Sequence, residues 1–266
     1  MIDHPLYQSV LANPQSDEPR LVMADWLDER GNEQADLIRT QIGIARQDVV
    51  TPSTLRLLVR ERTLLNRYLS DWNVPIHRAI RERTGLPAKS RGNPIQGFRF
   101  VRGFVGQIRI HAQSWIRWHT SLHEIMPLEE LCLVGTARGF EEDRHPELLR
   151  GIQHLTVQAK YPVNAIELRQ LLAREDVVAL KTLSLYNVRI TPQIADILVQ
   201  NYVDAEIKIV LEFCQYDPDI VEPLARAFGD RIAFSSNPNV DSYVRTRREP
   251  DGTGTLSGLL RRWFVG

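Results

Sequence analysis

The chain has 266 residues, and its 33 basic side chains balance its 33 acidic ones, so no whole-chain field draws it to nucleic acid or to an anionic membrane. A composition of 43% hydrophobic and 25% charged residues places it among globular rather than disordered chains. No stretch approaches the roughly 18–20 apolar residues of a membrane span. The opening MIDHPLYQSV lacks the basic flank and apolar core of a leader, and Cys132 and Cys214 make no disulfide framework, so a cytoplasmic location is expected.

The first predicted helix starts after Asp17, a candidate N-cap, with Pro19 in its first turn and Gly31 just past its end. Leu21, Ala24 and Leu27 share one face, with Val22 and Trp26 beside them. A second helix opens at Asn32 and Glu33, carries Leu37, Ile38, Gln41, Ile42 and Ala45, and ends near Gln47. The third begins near Pro52 with Leu55, Leu58, Leu65, Leu69 and Trp72 at helical spacing, and a shorter fourth follows from Pro75. The Gly, Pro and Ser of GLPAKSRGNPIQG (85–97) predict a link to a second region.

The run Arg20-Leu21-Val22, Ala24-Asp25-Trp26-Leu27-Asp28-Glu29, Gly31, Ala35, Leu37-Ile38-Arg39 and Gln41 resembles the bacterial repeat-companion domain over about residues 3–46. Met23 stands where that family commonly has an aromatic, and Leu37 where it commonly has Phe. The resemblance implies a short helical domain set beside leucine-rich or other repeats, and it implies no mechanism.

Beyond Gly97 the sequence has a period. The pairs Ile108/Ile110, Leu131/Leu133, Leu155/Val157, Leu183/Leu185, Ile209/Leu211 and Ile232/Phe234 recur at 23 to 28 residues, within the window of about 20–29 for leucine-rich repeats. SWIRWHTSLHEI, NAIELRQLLARE and TPQIADILVQNY supply helices between the strands. About residues 97–240, with LKTLSLYNVRITPQIADIL as their clearest half, resemble ribonuclease-inhibitor-like leucine-rich repeats. The position of the usual buried Asn or Cys holds Gln113, Thr136, Lys160, Val188, Cys214 and Asn237, which predicts irregular repeats with looser turns in the middle.

The expected fold is therefore α/β. A helical module (1–92) precedes a solenoid of about six irregular repeats (93–240) with a parallel sheet on its concave face, and a flexible tail (241–266) follows. Arg109, His111, His154, Gln158, Tyr186, Lys208, Glu212 and Arg231 flank the inward strand positions and are the candidate partner-binding residues. Cys214 is expected inward and Cys132 on the concave face.

His119 and His123 lie four apart with Glu124 beside them, but Thr120 stands where a zinc hydrolase would need its Glu. No P-loop, GxSxG or GxGxxG motif accompanies them. Residues 52–92 carry nine basic and three acidic side chains, against four and nine in residues 1–50. Such segments pair most simply with each other, and a phosphate contact through Arg56, Arg60, Arg67, Arg78, Arg81 and Arg83 is the alternative. The chain is thus expected to be a monomeric, non-catalytic scaffold that binds a protein partner and needs no cofactor or metal.

Overall fold

The computed structural model describes residues 2–47, 49–85, 95–136, 140, 147–159, 163, 165–216 and 218–235. The protein is mixed α/β, with a helical N-terminal region followed by a seven-stranded, mostly parallel sheet. Among the described residues no helix is long and apolar enough to cross a membrane. The expected flexible tail, residues 241–266, lies outside the described residues, as does most of the predicted link.

Three short helices come first: α1 (Pro5–Ala12), α2 (Glu18–Asp28) and α3 (Gln34–Ala45). Sequence periodicity missed α1, which is only eight residues long and is capped by His4, whose Nδ1 accepts from the Leu6 N–H at 3.3 Å. Asp17 precedes α2 but makes no side-chain cap, because its carboxylate is taken by Arg46 at 3.0 Å and Arg102 at 3.1 Å. Gly31 adopts φ +65° in the turn between α2 and α3, and Asn32 Oδ1 accepts from the Gln34 N–H at 2.9 Å. Asp25 meets Arg39 at 2.8 Å, while the Trp26 ring contacts the tilted His4 ring at 4.2 Å and has the Arg30 guanidinium over it at 4.0 Å.

The two helices expected between residues 52 and 84 are one, α4 (Pro52–Thr84). Thr51 opens it with a reciprocal cap to Thr54, and Gly85 ends it at φ +66°. Pro75 has no N–H to give the helix. Continuity holds because Trp72, Ile76, Ala79 and Ile80, on both sides of that proline, pack into one core with the sheet. Leu55 and Leu69, expected on the packed face, are exposed, and Leu64 is buried instead.

Strands β1 (Ile95–Val101) and β2 (Phe104–His111) form an antiparallel hairpin, with Arg102 and Gly103 both at positive φ in the two-residue turn. From β2 onward all neighbours are parallel: β3 (Glu130–Val134), β4 (His154–Gln158), β5 (Thr182–Tyr186), β7 (Lys208–Glu212) and β9 (Ile232–Ser235). Helices α5 (Ala112–His123), α6 (Ala165–Leu172), α7 (Pro192–Tyr202) and α8 (Pro218–Phe228) fall between these strands, and β6 (Arg189–Ile190) pairs with β8 (Gln215–Tyr216) in a small second sheet.

The periodic pairs align across the ladder. Ile108, Leu131, Leu155, Leu183, Ile209 and Ile232 form one row, and Ile110, Leu133, Val157, Leu185, Leu211 and Phe234 the next. All but the partly buried Phe234 are buried among the helix side chains, as period-two alternation against a helical layer requires.

The first residue after each of three strands is anchored to the neighbouring strand. Gly135, Ala159 and Asn187 each donate a backbone N–H to the end of the next strand, at Gln158, Tyr186 and Glu212, over 2.7–2.9 Å. Cys214 is buried and donates to the Leu185 carbonyl, whereas the corresponding Val188 has no polar group to satisfy. Lys160 and Asn237 lie outside the described residues.

The helical region docks on the hairpin through buried polar groups. Gln34 donates to the Gly103 carbonyl at 3.0 Å, and Gln41 accepts from the Gly103 N–H at 2.7 Å while donating to the Phe100 carbonyl at 3.1 Å. Arg20, fully buried in α2, pairs with Glu129 at 2.8 Å and donates to the carbonyls of Pro14, Val101 and Arg102. Leu37, Leu64, Ala79 and Ile80 share one apolar cluster with the sheet.

Candidate functional site

The sheet has two unlike faces. One carries the apolar rows under the helices, and the other carries three rows set by the same parallel register. Gln107, Glu130, His154, Thr182 and Lys208 make the row at the strand starts, and Arg109, Cys132, Thr156, Ser184, Val210 and Ala233 the middle row. His111, Val134, Gln158, Tyr186 and Glu212 make the row at the strand ends.

Seven of the eight candidate residues therefore lie on this second face. Arg109 and Lys208 are exposed, while His111, His154, Gln158, Tyr186 and Glu212 are half-buried. Arg231 belongs elsewhere. It precedes β9, and its guanidinium donates to the carbonyls of Tyr202, Val203 and Ala205 at the C-terminal end of α7. A helix end leaves carbonyls without intrahelical donors, and a nearby Arg is drawn to them; sequence register alone does not reveal that competition.

Beyond Arg109 the middle row is built of small side chains, from Cys132 to Ala233, and Ser184 and Val210 are buried within it. At the β1 edge the face is tied together by Arg99, which donates to Gln107 at 2.8 Å and to Glu130 at 2.6 Å, and Gln96 contacts the His111 Nε2 at 2.8 Å. Burial pushes the Cys132 thiol up to about 11, with Glu212 adding to the rise and Arg109 opposing it. A thiol held protonated at neutral pH is a poor nucleophile. Among the described residues no group of three His, Cys, Asp or Glu side chains is placed to hold a metal ion.

The far rim holds an aromatic that sequence reasoning missed. Phe213 directly follows Glu212, is half exposed, and sits 5.2 Å from the Tyr186 ring centre. Its φ is +53°, in the left-handed region that a bulky side chain avoids. The residues at the same register after β3 and β5 are Gly135 (φ +80°) and Asn187 (φ +55°), which tolerate that conformation. Along the ladder this position reads Gly135, Ala159, Asn187 and Phe213, and one bulky aromatic among small residues was the available signal.

The histidine pair is internal. His119 is buried with its Nδ1 3.0 Å from the Ile116 carbonyl, and Trp115 lies against both His119 and His123.

No family model, no curated protein and no solved structure matches this chain.

Proposed function

We propose that this protein is a non-catalytic interaction scaffold of leucine-rich-repeat type that binds a protein partner on the sheet face opposite its helices, with a repeat-companion-like helical module set against its first strands. The observation that carries the reading is Phe213. A half-exposed aromatic held at φ +53° against Tyr186 keeps backbone strain that a Gly or Asn would relieve, and strain of this kind concentrates at functional positions. Tyr is also among the residues enriched at the hot spots of protein interfaces. A partner segment would cross the strands over the small side chains of the middle row, Cys132, Thr156, Ser184, Val210 and Ala233, with Lys208, Tyr186 and Glu212 to either side.

The test is site-specific photocrosslinking in cells, with a photoreactive phenylalanine at Tyr186 and, as a control, at Val178, an exposed residue outside the strands. A discrete protein adduct from position 186 that disappears in Phe213→Gly supports the reading. Adducts equal at both positions, or unchanged by Phe213→Gly, overturn it.

One observation favours a second reading, contact with nucleic acid phosphates. Arg56, Arg67 and Arg78 recur every eleven residues on α4, three helical turns and roughly 16 Å apart on one face. None of the three makes an ion pair among the described residues. Arg60 and Arg83 are instead paired with Asp36 and Glu124. Retention on heparin at low salt that is lost in an Arg56→Glu, Arg67→Glu, Arg78→Glu variant would favour this reading over the first.

A further inference from the structure

Between the helical region and the β1–β2 hairpin lies a cleft of about 500 Å³, within the size range of small-molecule sites. Its walls are aromatic. Tyr68 and Trp72 stack 5.5 Å apart on α4, Trp72 meets Phe100 of β1 at 5.9 Å, and Tyr7 meets Phe104 edge to face at 5.5 Å. Tyr68 and Trp72 are half-buried, so part of each ring remains open.

The charges in this lining are uneven. Glu33 and Asp71 are exposed carboxylates with no ion pair among the described residues. The third charge, Arg30, is already engaged, lying 4.0 Å over the Trp26 ring and donating to the Trp26 carbonyl at 2.9 Å. The lining therefore sums to one net negative charge beside several π faces, which attract cations. Arg67 already lies 5.2 Å from the Tyr68 ring centre.

The polar groups available inside narrow the ligand further. Gln34 is committed to the Gly103 carbonyl and Tyr7 donates its hydroxyl to the Ile125 carbonyl at 2.8 Å. A primary ammonium carries three N–H donors that need acceptors when water is stripped away. A fully alkylated ammonium has none to satisfy. We infer that this cleft binds an alkylated ammonium group, with Trp72 and Tyr68 against its methyl groups and Asp71 and Glu33 supplying the counter-charge. The group could be carried by a free small molecule or by a methylated side chain of a protein, and the same chemistry serves both.

The experiment is a titration of the full chain followed by the Trp72 indole N–H resonance, assigned through Trp72→Phe. The probes are choline, its neutral isostere 3,3-dimethylbutan-1-ol, and a short peptide bearing trimethyllysine. The expected result is saturable binding of a cationic probe at least about tenfold tighter than the isostere, weakened about three- to tenfold by Asp71→Asn, Glu33→Gln, which touch only exposed positions. Tighter binding of the peptide than of choline would assign the cation to a protein, the reverse to a small molecule, and either supports the site. Equal binding of choline and its isostere, no saturation with any cation, or cation binding indifferent to the double substitution would overturn it.

Discussion

Arg20 Nη2 and Glu129 Oε1 lie 2.8 Å apart with both side chains almost wholly removed from solvent. Arg20 belongs to α2 and Glu129 immediately precedes β3, so this pair, joined by Arg102 on the same carboxylate, ties the helical region to the sheet. Burial pushes the Arg20 guanidinium down to about 10 and raises the Glu129 carboxyl, and the attraction between the two opposes both shifts. Taking two charges out of water is costly, and removing one partner leaves the other buried without compensation. Arg20→Met is expected to destabilise the protein by about 3–5 kcal/mol in urea denaturation. Combining it with Glu129→Leu should cost clearly less than the sum of the two single changes. Strict additivity would mean that the two charges are not coupled.

Gly103 is the second joint. At φ +87° it leaves no room for a side chain, since an added Cβ would lie 2.7 Å from the Ile38 Cα. The clash is with backbone, which has little freedom to move. Gly103→Ala should cost about 3 kcal/mol or more and loosen the grip of Gln34 and Gln41 on the hairpin. Hydrogen exchange would then rise at the residue-103 amide, which Gln41 accepts from, relative to the amides of β5. Unchanged protection would show that α3 does not hold the turn.

His123 supplies a pH dependence. Its Nε2 is buried with no partner, and burial, followed by the neighbouring His119 and Arg150, lowers its pKa from 6.5 to about 4. The unfolded chain therefore binds this proton more readily than the folded one. Stability is complete above about pH 6.5 and falls as pH drops from there toward 4. At pH 5 the loss from this residue is about 1–2 kcal/mol. Comparing the stability of wild type and His123→Gln at pH 7 and pH 5 checks it, since the variant should show the smaller decline. Equal declines would place the acid sensitivity elsewhere.

Phe213→Gly should stabilise the fold while it removes the proposed anchor. Relief of a left-handed φ is worth about 1–2 kcal/mol, reduced by the greater freedom of glycine in the unfolded chain. A net gain of about 0.5–1 kcal/mol in denaturant midpoint experiments is expected. A loss of stability would mean that the contact with Tyr186 outweighs the strain, and that Phe213 is held for packing.

Much of the fold was legible because burial imposes a period. Strand residues that alternate against a helical layer must be apolar at every second place, so the six Ile, Leu, Val and Phe pairs announced both their strands and their mutual register. The same alternation put Arg109, Lys208, Tyr186 and Glu212 on the opposite face without any view of tertiary contacts. Tertiary structure alone decided where long polar side chains end. Arg231 was a face residue by register but is drawn to the carbonyls ending α7, and Asp17 was a cap by type but is claimed by Arg46 and Arg102. Arg20 and Gln41 stood out as parts of a family-like run, and only the folded chain showed that they grip the hairpin backbone. The aromatic cleft was equally invisible, since its walls come from α1, α4 and the hairpin, far apart in sequence. Periodicity reports which side of an element is dry; which partner an arginine finds, and what space remains between elements, depends on geometry that only packing creates.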